Sequence, residues 1–347
     1  MLSLVLLLAV HIAPATPETP NRQPHLASRG RDVGVAYGAG NAIYFAASTD
    51  AGRTFGASVP VSSGGHLSLG MHRGPRVAYT PAAIVISAIV GEQEKGRDGD
   101  LMAWRSQDGG KTWSKAVRVN DVAGSAREGL HAMASGGSGT LFAAWLDLRG
   151  QGTRIYGARS SDGGATWSAD RLVYESPAGS VCQCCHPSVA VDASGAVFVM
   201  FRNAAEGARD LYLARSRGGE EKFSEAEKLG TGTWMLDACP MDGGGLGVDG
   251  AGRVMTIWRR EQTVFAAEAG APEKPLGSGK NPTLVAGRRG FYGAWTRGKS
   301  VLLWRPDLEE PETIDADGAF PSMAALSDGS VVLAWESSGA IVIRAVE

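Results

Sequence analysis

Ser106-Gln-Asp-Gly-Gly-Lys-Thr-Trp113 has two near-copies in this chain, Ser48-Thr-Asp-Ala-Gly-Arg-Thr-Phe55 and Ser160-Ser-Asp-Gly-Gly-Ala-Thr-Trp167. A degraded fourth, Ser216-Arg-Gly-Gly-Glu-Glu-Lys-Phe223, keeps the register but has Gly218 in place of the Asp. Each follows a short strand-like run, such as Ile155-Tyr-Gly-Ala-Arg159. The chemistry is that of a tight turn. Ser and Asp side chains hydrogen-bond turn amides, Gly supplies positive φ, and the closing aromatic packs between sheets.

A second repeat runs out of phase with the first. A Gly opens an apolar run that ends in an aromatic: Gly139 to Trp145, Gly195 to Phe201, Gly252 to Trp258, Gly290 to Trp295 and Gly329 to Trp335. Upstream lies another short strand, often opened by proline, as in Pro75-Arg-Val-Ala, Pro187-Ser-Val-Ala, Pro282-Thr-Leu-Val and Pro321-Ser-Met-Ala. The unit is therefore strand A, turn, strand B, loop, strand C, Asp turn, strand D. Unit starts fall near His25, Pro75, His131, Pro187, Pro240, Pro282 and Pro321. A period of roughly 40–55 residues is that of four-stranded propeller blades. The expected fold is all-β, a β-propeller of four-stranded antiparallel blades. Seven blades are expected, or six if one late unit merges with another. The last unit lacks a strand D, which the leader before His25 would supply to close the ring.

The chain has 347 residues, 48 of them Gly and 16 Pro, a balance that suits many short strands. Its net charge of −2, with no basic run, gives a nucleic acid no electrostatic footprint. The apolar stretch from Met1 to Ile12, before Ala13-Pro14-Ala15, reads as a secretory signal too short to span a bilayer. The expected organisation is thus a signal peptide over 1–15, a Pro-rich leader over 16–24 and one propeller over 25–347. The mature protein would be secreted or periplasmic, without a membrane span.

The Asp turns resemble the Asp boxes, or BNR repeats, of the sialidase superfamily. That resemblance implies that the boxes lie on the face away from an active site. His72-Arg-Gly-Pro75 is similar to the family's F-R-I-P motif, which implies that Arg73 holds a substrate carboxylate. It further implies an arginine cluster, for which Arg149, Arg202 and Arg259 (with Arg260) are candidates, and an acid, Asp147 or Asp242. His131 joins the substrate-binding candidates, with a hydrogen-bonded channel residue as its plain alternative. The family's Tyr nucleophile has no counterpart in a top loop, because alternation puts Tyr292 inside a strand B. If the chain is an enzyme, the implied activity is a sialidase-like glycoside hydrolase that needs no cofactor. The implied partner is a glycan or other small molecule on the top face. A non-catalytic glycan- or protein-binding module is the alternative.

All four cysteines sit in two consecutive D-to-A connections, Cys182-Gln-Cys-Cys-His186 and Cys239-Pro-Met-Asp242. In an exported chain they read first as disulfides bracing neighbouring blades. They also read as a soft metal site, with Cys182, Cys184, Cys185, His186 and Cys239 as ligands to Cu or Zn. The tryptophans Trp145, Trp258, Trp295 and Trp335 recur at one repeat position, which assigns them to blade packing.

Overall fold

The computed structural model describes residues 9–93, 98–127, 129–217 and 222–346. Seven antiparallel sheets follow one another among these residues, closed into a ring. The seven-blade reading holds. Blade three shows the pattern: strand A is His131–Ser135, B Leu141–Asp147, C Arg154–Ser160 and D Arg171–Tyr174. The seven inner strands begin at Asn21, Arg76, His131, Ser188, Gly245, Lys280 and Ala319. The first begins four residues before the expected unit start at His25. Among the described residues no helix is long and apolar enough to cross a membrane.

Blades pack face to face, so strand B is apolar on both sides: every residue of Leu141–Asp147 is buried. Strand C repeats one burial alternation in Ala42–Ser48, Asp100–Ser106 and Arg154–Ser160. One apolar cluster fills each interface between neighbouring blades. The recurring tryptophans belong to these clusters, as their repeat position required. Trp145 and Trp295 are wholly buried, and Trp258 and Trp335 nearly so.

The ring closes through a strand upstream of His25, as the missing strand D required, but from a segment before the 16–24 leader. Val10–Ile12 pairs antiparallel with Ile341–Ile343 as the outer strand of blade seven. This strand lies within the stretch that reads as a signal, whose residues 1–8 are outside the described part. Asn21 Nδ2 donates to the Ile12 carbonyl at 3.0 Å. Leu26 N–H donates to Ser322 Oγ at 3.0 Å, tying blade one to blade seven.

The three Asp boxes adopt one geometry on the bottom face. Ser106 Oγ donates to Asp108 Oδ1 and accepts the Gly110 N–H, while Asp108 Oδ1 accepts the Lys111 and Thr112 amides. The boxes at Asp50 and Asp162 repeat these bonds. Gly110 has φ +90°, and a Cβ there would lie 2.2 Å from Phe45 Cε1, so the turn admits only glycine. In the degraded fourth box, residues 218–221 lie outside the described part. Ser216 Oγ there is buried without a hydrogen-bond partner among the described residues.

Candidate functional site

The D-to-A connections converge on one mouth of the central channel. There the inner strands line a cavity of about 330 Å³, with His25, His72, Arg76 and His186 in its wall. Residues far apart in the chain meet at this mouth. The rings of His72 and His186 stack with centroids 4.0 Å apart, and His72 Nε2 lies 3.0 Å from Asn281 Oδ1. The pooled rim that the repeat implied therefore exists.

The histidines of the mouth are held neutral by burial, beside the charges of Asp242, Arg76 and Arg73, which all act on His72. Burial pushes His25 down to about 3, with the Arg76 charge adding to the effect. Burial first, then Arg76, likewise holds His131 well below the ordinary histidine range. His186 is depressed by burial and then by His72. Arg76 itself is 8% exposed and sits on the inner strand of blade two. Its guanidinium donates to the carbonyls of His72, Gly74 and Pro75. Burial lowers it to about 10, so it stays charged at neutral pH. In the sequence Arg76 falls within a short strand opened by Pro75 and is not among the candidate residues. A signal was there: Pro187, Pro282 and Pro321 are followed by Ser, Thr and Ser, but Pro75 by an arginine.

Of the arginines and acids implied by the sialidase resemblance, Asp242 lies beside the mouth, where its charge acts on His72, while Arg149, Arg202, Arg259 and Asp147 are held by partners of their own. Asp147 is buried and bound by Arg149 through Nε and Nη2, each at 2.8 Å, and by Trp145 Nε1 at 2.8 Å. Arg149 also pairs with Asp121 and Asp170 and covers the Tyr156 ring at 4.0 Å. These two residues brace blade three, and their donors and acceptors are used. Arg202 is 1% exposed and gives its guanidinium to the carbonyls of Asp242, Arg209 and Arg259. Arg259 donates to the Pro240 carbonyl, packs on Trp234 and approaches Asp242 at 3.7 Å. Asp242 is buried, accepting the Asn281 amide at 2.8 Å. His131 is fully buried with Nε2 3.0 Å from Ser87 Oγ, which is its plain alternative, a hydrogen-bonded channel residue. Arg73 lies in the turn beside His72, its N–H donating to the Gly70 carbonyl. Tyr292 is fully buried within its strand B, as alternation required.

The cysteines divide. Cys182, Cys184 and Cys185 are buried, and their sulfurs all lie within 4.8 Å of one another. Cys182 Sγ is 3.7 Å from Cys184 Sγ and 3.4 Å from Cys185 Sγ. Those gaps exceed the ~2.05 Å of a disulfide, and all four cysteines are free. Two expected ligands stay outside the triad. His186 turns its Nε2 to the Gly244 carbonyl at 3.1 Å. Cys239 is exposed, though close enough to Cys184 to help raise its pKa. Met241 and Ala204 pack against the three sulfurs. The Cys182 N–H donates to the Arg202 carbonyl, which anchors the run to blade four. Burial, then the neighbouring Cys182 thiol, pushes Cys185 up to about 12, while the Arg202 charge pulls the other way. A hydrogen bond with Cys184 leads the rise of Cys182 to about 11.

Comparison with known proteins agrees with this architecture. The profile of the BNR repeat-like domain matches residues 42–233, more than half of the chain. No curated protein matches it in sequence. Solved structures do match in fold. An α-L-arabinanase of Penicillium chrysogenum, complexed with arabinobiose, is 14% identical, with a TM-score of 0.54 over 98% of this chain and 97% of that one. A leech intramolecular trans-sialidase is 11% identical, with a TM-score of 0.53 over 94% and 68%. A virginiamycin B lyase of Staphylococcus aureus, with quinupristin, is 10% identical, with a TM-score of 0.56 over 98% and 99%. At such identities the likeness is one of fold alone, and these three chemistries differ.

Proposed function

The chain belongs to the BNR repeat-like domain family, and on that propeller we propose that Cys182, Cys184 and Cys185 bind one soft metal ion, copper(I). The observation that carries this reading is the closeness of three buried thiols drawn from one four-residue run. Trigonal thiolate coordination suits copper(I), whereas a structural zinc ion takes four ligands in a tetrahedron. Met241, packed against the three cysteines, places a further soft side chain beside them. Three thiolates around a monovalent ion leave net negative charge, and the buried Arg202 guanidinium beside Cys185 offsets part of it. Because the thiols are held protonated, metal binding releases protons and strengthens as pH rises. In an oxidising compartment a bound soft ion would also keep these sulfurs from pairing.

The test is anaerobic titration of the reduced protein with copper(I) against a competing chelator, with metal content and the ultraviolet thiolate-to-copper band as readouts. One ion per chain is expected. Cys184→Ser or Cys185→Ser should weaken it by more than about 100-fold, and Cys239→Ser by less than about tenfold. A reduced wild type that holds no copper, or a native protein whose thiols are all in disulfides, would overturn the reading. Preference for zinc with Cys239 as essential fourth ligand would overturn the choice of metal.

Hydrolysis of an acidic sugar is the second reading. What favours it is Arg73 in the turn beside His72 at the channel mouth. Turnover of a fluorogenic sialoside by wild type and not by Arg73→Ala would establish it. Engagement of Arg149, Arg202 and Asp147 within the blades makes it the weaker of the two.

A further inference from the structure

We propose that the mouth of the central channel is a receptor for a small oxyanion or carboxylate, held by Arg76 and His25. This site is separate from the thiol triad and does not depend on a metal being bound there. It also differs from the arginine cluster implied by the sialidase resemblance, because Arg149 and Arg202 are committed elsewhere.

The first observation is a buried charge without a direct ion pair among the described residues. Arg76 forms no ion pair among the described residues, and its three hydrogen bonds all go to neutral carbonyls. A guanidinium has five N–H donors, so two remain without a protein acceptor. A buried cation without a counterion is costly unless something else supplies the negative charge. Arg76 lines the channel cavity, whose volume of about 330 Å³ admits a small anion with its first waters.

The second observation is the tautomer of His25. The Val77 amide donates to His25 Nδ1 at 3.2 Å, so Nδ1 carries the lone pair and the proton sits on Nε2. His25 therefore brings a second N–H donor to the cavity wall close to Arg76. A third donor is at hand in Ser322, also in the wall. Its Oγ accepts the Leu26 amide, which leaves its own proton to give. Arginine, imidazole and hydroxyl donors around one cavity match a tetrahedral oxyanion or a planar carboxylate, neither of which donates in return. The acids nearest this rim are engaged: Asp242 by the Asn281 amide, and Glu336 by Gln23 at 2.7 and 2.9 Å.

The experiment is calorimetric titration of the full chain with sulfate, phosphate, acetate and glucuronate at fixed ionic strength. In parallel, the Arg Nε–H region of the ¹⁵N NMR spectrum is followed. Saturable binding of at least one anion is expected, with a shift of one protected arginine Nε–H that is missing from the Arg76→Lys spectrum. His25→Gln should raise the Kd by at least about tenfold, and Arg209→Gln, in the B-to-C loop of blade four and outside the cavity lining, should leave it unchanged. If Arg76→Lys fails to fold, the wild-type titration and His25→Gln still decide. No saturable binding by wild type, or binding unaffected by His25→Gln, would overturn the proposal. Selective binding of glucuronate over inorganic anions identifies a sugar acid as the ligand. A preference for sulfate or phosphate identifies a free oxyanion, and either outcome supports the receptor.

Discussion

The two faces of this propeller treat polar groups in opposite ways. On the bottom face, each intact Asp box satisfies its Ser, its Asp and its turn amides within eight residues, although the indole Nε1 of the closing Trp113 and Trp167 is buried without a partner among the described residues. Asp50, Asp108 and Asp162 each receive amide and hydroxyl donors from their own turn. On the top face, groups are gathered from different blades and left incompletely matched among the described residues: three free thiols, a buried arginine without a carboxylate, and His186 Nδ1 buried without a partner. A turn that completes its own hydrogen bonds can repeat anywhere around the ring, so it carries architecture. A rim that leaves donors and sulfurs unmatched must be completed from outside, and that is where ligands belong.

Arg202 is where the top face touches the architecture, and its removal should have the largest effect. Arg202→Ala strips partners from the carbonyls of Asp242, Arg209 and Arg259 and leaves a void under Trp234. A loss of about 3–5 kcal/mol is expected, read from urea unfolding. Copper affinity should fall as well, because the cation beside Cys185 is gone. A bottom-face counterpart, Arg53→Ala in the first Asp box, should cost less than about 0.5 kcal/mol, since Arg53 is exposed. Equal losses would erase the distinction between the faces.

Acid should separate the faces along the pH axis. His25, His131 and His186 are neutral in the folded protein, with pKa values below the unfolded value near 6.5. The unfolded chain therefore binds more protons than the folded one below about pH 6.5, and stability falls as pH drops from there. The Asp boxes have the other threshold. Although burial pushes Asp50 and Asp162 upward, hydrogen bonds led by those from Thr54 and Thr166 hold both at about 2. Their stabilisation is intact above about pH 4 and fades as pH falls towards 2. Urea midpoints measured from pH 8 to pH 3 should thus decline in two limbs. His25→Gln should flatten the upper limb, and Asp50→Asn with Asp162→Asn the lower one. A single limb beginning near pH 4 would mean that the channel histidines are not buried neutral.

How much of this was legible in the sequence divides along the same line. The Asp boxes and the Gly-to-aromatic runs are local signals, each complete within a few residues, so blade number, strand order and the face of each loop followed from them. The closeness of Cys182, Cys184 and Cys185 was legible because they are neighbours in the chain. The partners of Arg149 and Arg202 were not legible for the opposite reason. Those partners, Asp170, Arg209 and Arg259, come from other parts of the chain, and nothing at the arginine itself says that its donors are already taken. Arg76 was not legible as a site residue because it stands in a strand position among apolar neighbours. Its charge stands out only when the four proline-led inner strands are compared position by position. Outer closure by Val10–Ile12 was anticipated from the missing strand D, although the same residues also fit an export signal.

The smallest effect tests whether an Asp box works as a unit. In the intact second box, Ser106 Oγ both accepts the Gly110 amide at 2.9 Å and donates to Asp108 at 2.8 Å. Ser106→Ala removes both bonds and leaves a buried amide unsatisfied, which should cost about 1–2 kcal/mol. In the degraded box, Ser216 Oγ is buried with no partner among the described residues. Ser216→Ala there removes a hydroxyl with no partner among the described residues, so a change within about 0.5 kcal/mol of zero, or a slight stabilisation, is expected. Both variants can be compared by urea midpoint at pH 7, where every box Asp is ionised. If Ser216→Ala costs as much as Ser106→Ala, the fourth turn completes its hydrogen bonds without the Asp, and the carboxylate is not what makes the bottom face self-sufficient.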